Sequence, residues 1–325
     1  MPDLTSPKSP SVLRRALWAM ALIIATASGA PAGAAAGAAP PIKLDLDAFD
    51  HSRHTVALPN GVTMAYIDSG NPHGQPVVLI HGFTDTARDW VPLLPELDPS
   101  LRLILVDIRG HGLTSKPECC YDRLDFAYDV RLLLDALRIE RADIVGHSLG
   151  SYIAQTFAEY WPEHTRRVVL ISSSGGPLAS CAAPSGEPAV KPIDYRGEIL
   201  KLHEPIDPDS KFMVEWWSSP TPVNEDFLHR QRVDAAAIPL RVWLAVLDQG
   251  LAGPSLQATL PRLKARTLLI WGEKDPIFGA PDRCSLRTAL PDAEVRLFPE
   301  LGHNPFWEDP AAVAAVVNAF LAAKP

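Results

Sequence analysis

Basic residues are the minority charge in this sequence: 30 Lys and Arg stand against 38 Asp and Glu, a formal net charge of −8. That balance argues against a nucleic-acid partner, because phosphate binding needs clustered Lys and Arg. Cysteine is scarce as well, at four residues: Cys119, Cys120, Cys181 and Cys284. No C-x-x-C pair and no H-E-x-x-H string occurs, which leaves a zinc site without support. Two bridges among four cysteines have three pairings, and the sequence does not choose between them. A bond between the adjacent Cys119 and Cys120 is the strained option. Long apolar runs are also missing. The most apolar stretch, residues 16–27, is too short for a permanent membrane anchor.

That stretch follows Arg14-Arg15 and precedes a Gly/Ala/Pro tract at 30–39, the order of an export leader with several cleavage points. Leu13 and Trp18 fit a twin-arginine signal poorly, which favours the general secretory route. The protein is therefore expected to be exported, periplasmic or secreted, with no stable membrane span after leader cleavage. An oxidising destination permits disulfides.

With 325 residues, 47 % apolar and 21 % charged, the chain has ordinary globular composition and room for one large α/β domain with an insertion. Residues 41–54 look polar and linker-like. Alternation around Pro59-Asn60-Gly61 predicts a hairpin. Continuous apolar runs at 77–80, 103–106, 144–145, 168–171 and 267–271 predict strands buried on both faces. Between them, apolar residues at three- and four-residue spacing predict helices at 124–137 and 153–161. A short helix is expected at 89–97, others at 282–290 and 311–322, and a last strand at 295–298. Strand and helix alternating in this way mean a mostly parallel sheet with right-handed crossovers. From about 176 to 257 no buried strand is found. Pro-rich loops, Trp216-Trp217 and a helical stretch near 237–251 suggest an inserted helical cap. The division expected is a leader and small-residue tract at 1–40, sheet domain at 41–175, cap at 176–257, and sheet domain again at 258–325.

One stretch organises the chemistry. A strand ends at Gly146, Ser148 follows, and a helical pattern begins at once, which is the G-x-S-x-G turn that pushes a serine hydroxyl out of the backbone. The serine also lies where helix N–H groups and the dipole favour negative charge. A serine hydroxyl needs a base, and the base needs an orienting acid. Two later strand ends offer them: Gly272-Glu273-Lys274-Asp275-Pro276 supplies a carboxylate, and Gly302-His303-Asn304 an imidazole.

Five motifs in order then carry a family resemblance: HGF at 81–83, DIRGHGLTSKP at 107–117, GHSLGS at 146–151, WGEKDPI at 271–277 and GHNPFWEDP at 302–310. From about residue 56 the chain resembles the α/β-hydrolase superfamily. The resemblance implies an α/β-hydrolase fold, a mostly parallel sheet flanked by helices with an inserted helical cap. It implies Ser148 as nucleophile, His303 as general base and Asp275, rather than Glu273, as the orienting acid. It also implies an oxyanion hole from the backbone N–H groups of Phe83 and Leu149. Serine at the elbow disfavours the relatives that use a carboxylate nucleophile. Asp107, Arg109 and His111 are read as a structural loop, His81 as a loop-positioning side chain and His147 as support for the serine turn. Asp85, Arg88 and Trp90 are candidates for the pocket lining. Trp216, Trp217 and Trp243 are either cap core or pocket wall.

The function expected is a serine hydrolase acting on a small-molecule carboxylic ester or lactone through an acyl-enzyme, with no cofactor and no metal. The same triad serves C–C bond hydrolases, perhydrolases and amidases, and the same scaffold serves non-catalytic ligand-binding proteins. The cap decides among them. Oligomeric state is not legible in the sequence.

Overall fold

The apolar runs form the middle of an eight-stranded sheet. A computed structural model of the chain describes residues 46–181 and 194–323. The expected leader and tract at 1–40 lie outside them. The strands are β1 (His54–Ala57), β2 (Thr63–Gly70), β3 (Pro76–Ile80), β4 (Arg102–Asp107), β5 (Ala142–His147), β6 (Thr165–Ile171), β7 (Arg266–Gly272) and β8 (Glu294–Phe298). Their order is β1-β2-β4-β3-β5-β6-β7-β8. The β1/β2 and β2/β4 pairs are antiparallel, and every later pair is parallel. Strands β3 to β7 are buried on both faces along most of their length, as the apolar runs at their centres require.

From β3 the chain steps outward to β4 on one side, then returns past β3 to build β5 on the other. Such a reversal opens a crevice at the carboxyl ends of the strands, the usual ligand position in open α/β sheets. The loops after β3, β5, β7 and β8 all arrive at that end.

The helices that cover the sheet start with α1 (Leu46–Asp50), α2 (Arg123–Ala136) and α3 (Leu149–Tyr160). Helix α2 opens on a capping box, with Asp122 and Asp125 each accepting from the other's backbone N–H. Among the described residues four α-helices follow between β6 and β7: α4 (Tyr195–Ile199), α5 (Lys211–Trp216), α6 (Glu225–Ala236) and α7 (Leu240–Ala245). Then come α8 (Ala280–Ala289), α9 (Pro305–Glu308) and α10 (Pro310–Ala322).

Three local expectations are corrected or refined. Residues 46–50 are helix, not linker. Asp50 of α1 pairs with Arg88 at 2.7 Å, and Asp47 with Arg230 at 2.7 Å. Residues 89–97 do not form one α-helix. Pro92 and Pro95 lack the N–H that an α-helix needs, and two 3₁₀ turns, Ala87–Trp90 and Leu94–Glu96, take its place. The stretch at 237–251 changes character midway, from α7 into a π-helical segment, Val246–Leu251. The cysteine pairing, which the sequence left open, is Cys119–Cys120 and Cys181–Cys284.

Candidate active site

Ser148 stands between β5 and α3 with φ 51° and ψ −118°, a conformation L-residues seldom adopt. Its neighbours make the turn possible. A Cβ on Gly146 would fall 2.1 Å from the Gly150 carbonyl oxygen, and one on Gly150 would fall 2.0 Å from that of Ile80. The turn is pinned by the Ser148 N–H donating to Ile171 O at 3.0 Å. Leu149 is the first residue of α3, so its N–H has no partner within the helix. Its side chain is buried in the core.

The structure brings Asp275 and His303 together. His303 Nδ1 donates to Asp275 Oδ2 at 2.9 Å, while Asp275 Oδ1 accepts from the backbone N–H groups of Ile277 (2.8 Å) and Phe278 (3.1 Å). Burial opposes the Asp275 charge, but the His303 imidazole and those N–H donors outweigh it, and the pKa lies below the ordinary carboxylate range. With Nδ1 donating, Nε2 of His303 carries the free lone pair. Glu273 is exposed to solvent, whereas Asp275 is buried.

The backbone of His303 is held too. Its carbonyl accepts from Ser172 Oγ at 2.7 Å and from His147 Nε2 at 3.1 Å. His147 turns its other nitrogen toward Asp89 Oδ2 at 3.3 Å. One residue earlier, the Gly302 N–H donates to Glu308 Oε1 at 2.7 Å, and Glu308 Oε2 accepts from Thr221 Oγ1 of the β6–β7 insertion. Asp89, Ser172 and Glu308 carry no sequence signal of this role, since Ser172 and Glu308 act on backbone groups that any residue possesses and Asp89 acts only through the ring of His147.

Ser148, His303 and Phe83 line one cavity of about 460 Å³. The segment between β6 and β7 supplies its opposite wall, with Tyr195, Phe212, Trp216 and Trp217. Asp85 lines the cavity too, while Arg88 and Trp90 do not. Arg88 is paired with Asp50 and with Asp234 of α6, each at 2.7 Å, and Trp90 is buried against Phe306. Trp216 and Trp217 are pocket wall. Trp243 is fully buried behind them.

Asp107, Arg109, His81 and His111 are tied into scaffolding contacts. Asp107 accepts from the N–H groups of Ala87 (2.8 Å) and Leu113 (2.9 Å), and Arg109 grips Asp129 through two bonds of 2.6 Å. His81 donates through Nδ1 to Gly82 O and accepts at Nε2 from the Ile108 N–H. His111 donates through Nδ1 to Arg109 O and accepts at Nε2 from the N–H of Thr84, which has φ 67° beside Phe83. Burial lowers the pKa of both rings, that of His111 to about 3, so each stays neutral and keeps one acceptor nitrogen.

Asp85, Asp89 and His147 place ligand-type atoms within 4.8 Å of one another, the one such group among the described residues. Most of its atoms have other partners: Trp217 donates to Asp85 Oδ1, Trp307 donates to Asp89 Oδ1, and His147 Nε2 meets the His303 carbonyl, while Asp89 Oδ2 and His147 Nδ1 face each other at 3.3 Å without a hydrogen bond.

Comparison with known proteins agrees with this fold. A profile of the alpha/beta hydrolase family matches residues 77–316. The 2-hydroxymuconate semialdehyde hydrolase of Pseudomonas sp. (strain CF600) is 30 % identical over 278 residues, covering 81 % of this chain and 91 % of that one. Among solved structures, a bacterial membrane phospholipase A superposes with a TM-score of 0.70 at 24 % identity, over 83 % of this chain and 85 % of that one. The enol-lactonase of Burkholderia xenovorans LB400 gives a TM-score of 0.65 at 20 % identity, over 83 % of this chain and all (100 %) of that one. At those identities the two structures speak for the fold. The chain belongs to the alpha/beta hydrolase family.

Proposed function

We propose that the protein is a serine hydrolase that cleaves a carboxylic ester or lactone through an acyl-enzyme. The observation that carries this is the His303–Asp275 hydrogen bond at 2.9 Å, set on the same cavity as a serine held at positive φ on a helix N-terminus. His303 Nε2 takes the Ser148 hydroxyl proton as Oγ adds to the substrate carbonyl carbon. The oxyanion that forms is stabilised by the backbone N–H groups of Phe83 and Leu149 and by the positive end of α3. His303 then gives its proton to the departing alkoxide, leaving an acyl ester on Ser148. Water, deprotonated by His303, attacks that ester and frees the acid and Ser148. Asp275 holds the imidazole in the tautomer that each step needs and balances the imidazolium charge.

The 30 % identical relative named as a semialdehyde hydrolase supports a second reading, cleavage of a C–C bond by the same residues. Steady-state assay of aryl esters, lactones and dienoate ring-fission products separates the two. Ester and lactone turnover is expected, abolished in Ser148→Ala. Full ester activity in that variant would remove Ser148 from the mechanism.

Export through the leader expected at 1–40 belongs to the same proposal, and sequencing the N-terminus of protein recovered outside the cytoplasm tests it.

A further inference from the structure

The cavity has an unusual chemical bias. Its wall on the side of the β6–β7 insertion is built of rings packed around Trp216: Tyr195 and Phe212 at 5.3 Å, Phe83 at 5.9 Å and Trp217 at 6.2 Å between centroids. The polar ends of these indoles are already committed. Trp216 Nε1 donates to Thr84 Oγ1 at 3.2 Å, and Trp217 Nε1 donates to Asp85 Oδ1 at 3.0 Å. Trp307, also in the lining, donates through Nε1 to Asp89 at 2.9 Å. The tryptophans therefore offer the cavity ring carbon and π-faces, with no N–H left for an anion.

Among the described residues the carboxyl groups in the lining are Asp85, Glu198 and Glu215. Among the described residues no Lys or Arg lines the cavity. Lys201 pairs with Glu198 at 2.6 Å and Lys211 with Glu215 at 3.6 Å, but both lysines are exposed and neither reaches the lining. Asp85 is buried among Trp217, Asp89 and His147, and that burial favours its neutral, protonated form.

We infer that the cavity takes an ester carrying an uncharged aromatic group and discriminates against substrates with a second, anionic carboxylate. The inference rests on the serine-hydrolase proposal and narrows it. A flat ring gains contact with the Trp216 cluster, worth roughly 0.5–1.5 kcal/mol per ring pair beyond simple burial. A carboxylate in the same place loses its water and finds acidic neighbours instead of a cation. A muconate-type acid, the kind named for the 30 % identical relative, is thereby disfavoured. A cationic group meets no such penalty, since π-faces and carboxylates both attract it.

The test uses three p-nitrophenyl esters with one leaving group: 3-phenylpropanoate, its ring 4-carboxylate and its ring 4-trimethylammonio derivative. The neutral ester is expected to exceed the carboxylate ester in kcat/KM by at least about tenfold, equivalent to about 1.4 kcal/mol. The trimethylammonio ester is expected within tenfold of the neutral one. Glu198→Arg, which places a cation in the lining, should raise the carboxylate ester relative to the neutral one by about tenfold. A neutral-to-carboxylate ratio below tenfold overturns the inference while leaving the serine mechanism standing.

Binding to Ser148→Ala separates the two claims from the other side. Quenching of tryptophan fluorescence should report tighter binding of neutral 3-phenylpropanamide than of the same amide bearing a ring 4-carboxylate. If no ester is hydrolysed and the neutral amide still binds more tightly, the mechanism fails and the cavity inference holds. Equal or tighter binding of the carboxylate overturns it.

Discussion

Gly272 closes β7 three residues before Asp275, and its α-carbon faces the loop that carries His303. A Cβ there would lie 2.2 Å from the carbonyl oxygens of both Leu301 and Gly302. Both obstacles are backbone, so no side chain can rotate away. The loop is also tied down: the Glu273 N–H donates to Phe298 O at 2.9 Å, and the Lys274 N–H donates to Leu301 O at 3.0 Å. Relief of the clash in Gly272→Ala therefore requires the 301–303 backbone to retreat by roughly 1 Å. A shift of that size stretches the 2.9 Å His303–Asp275 bond toward the limit of hydrogen bonding and moves Nε2 relative to Ser148. Misplacement by 1 Å costs on the order of 100-fold in rate, about 2.7 kcal/mol of transition-state stabilisation. Overpacking itself costs about 1–3 kcal/mol of stability, which leaves the protein folded at 25 °C. Steady-state kinetics on an aryl ester, with a thermal melt on the same sample, checks both numbers. Gly279→Ala is the control, because its Cβ meets nothing nearer than Pro281 Cδ at 3.7 Å. A Gly272→Ala enzyme within threefold of wild type in kcat/KM, at a lowered melting temperature, would refute the argument that this glycine sets the position of His303.

Other outcomes follow from the same contacts. Asp275→Asn should lower kcat by about three to four powers of ten with little change in KM, because the amide cannot accept from Ile277 and Phe278 and also hold His303 Nδ1–H as a carboxylate does. An unchanged kcat would remove Asp275 from the triad. Acid should destabilise the fold through His111. Its folded pKa of about 3 lies below the ordinary 6.5, so the stabilisation from the neutral ring is complete above pH 6.5 and is lost as pH falls toward 3. By pH 4.5 the loss reaches about 2–3 kcal/mol, and the melting temperature of wild type should fall more steeply between pH 7 and 4.5 than that of His111→Gln. Parallel curves would contradict it. Asp234→Ala strips Arg88 and Thr86 of a shared acceptor at 2.7 and 3.0 Å. It should cost about 2 kcal/mol and speed proteolysis within α6, and an unchanged melt would show the clamp to be idle.

The sheet was legible because strands buried on both faces must be written as unbroken apolar runs. Residues 77–80, 103–106 and 168–171 have that form, and they lie within β3, β4 and β6. The candidate site was picked out for a related reason: in this topology chemistry collects at strand ends, and the proposed residues Ser148, Asp275 and His303 each follow one. What escaped the sequence depends on distant partners. Helix α1 is a little over one turn, too short for any period, and it is held through Arg88 and Arg230, far along the chain. The supports of His303, namely Ser172, His147 and Glu308, bind its loop through carbonyl and N–H groups that every residue possesses. The wall residues Tyr195 and Phe212 sit in a segment where Pro-rich loops break the periodicity. Aromatic residues there could be assigned to core or cavity only once Trp243 was found behind Trp216.

The most direct test of the proposed chemistry is mass spectrometry of the protein after a fluorophosphonate, paired with the residual rate on an aryl ester. One adduct per chain is expected, on the peptide that contains Ser148, with activity lost in proportion to labelling and no adduct on Ser148→Ala. Full turnover by a chain labelled at Ser148, or undiminished labelling of Ser148→Ala, would contradict a nucleophile at that turn.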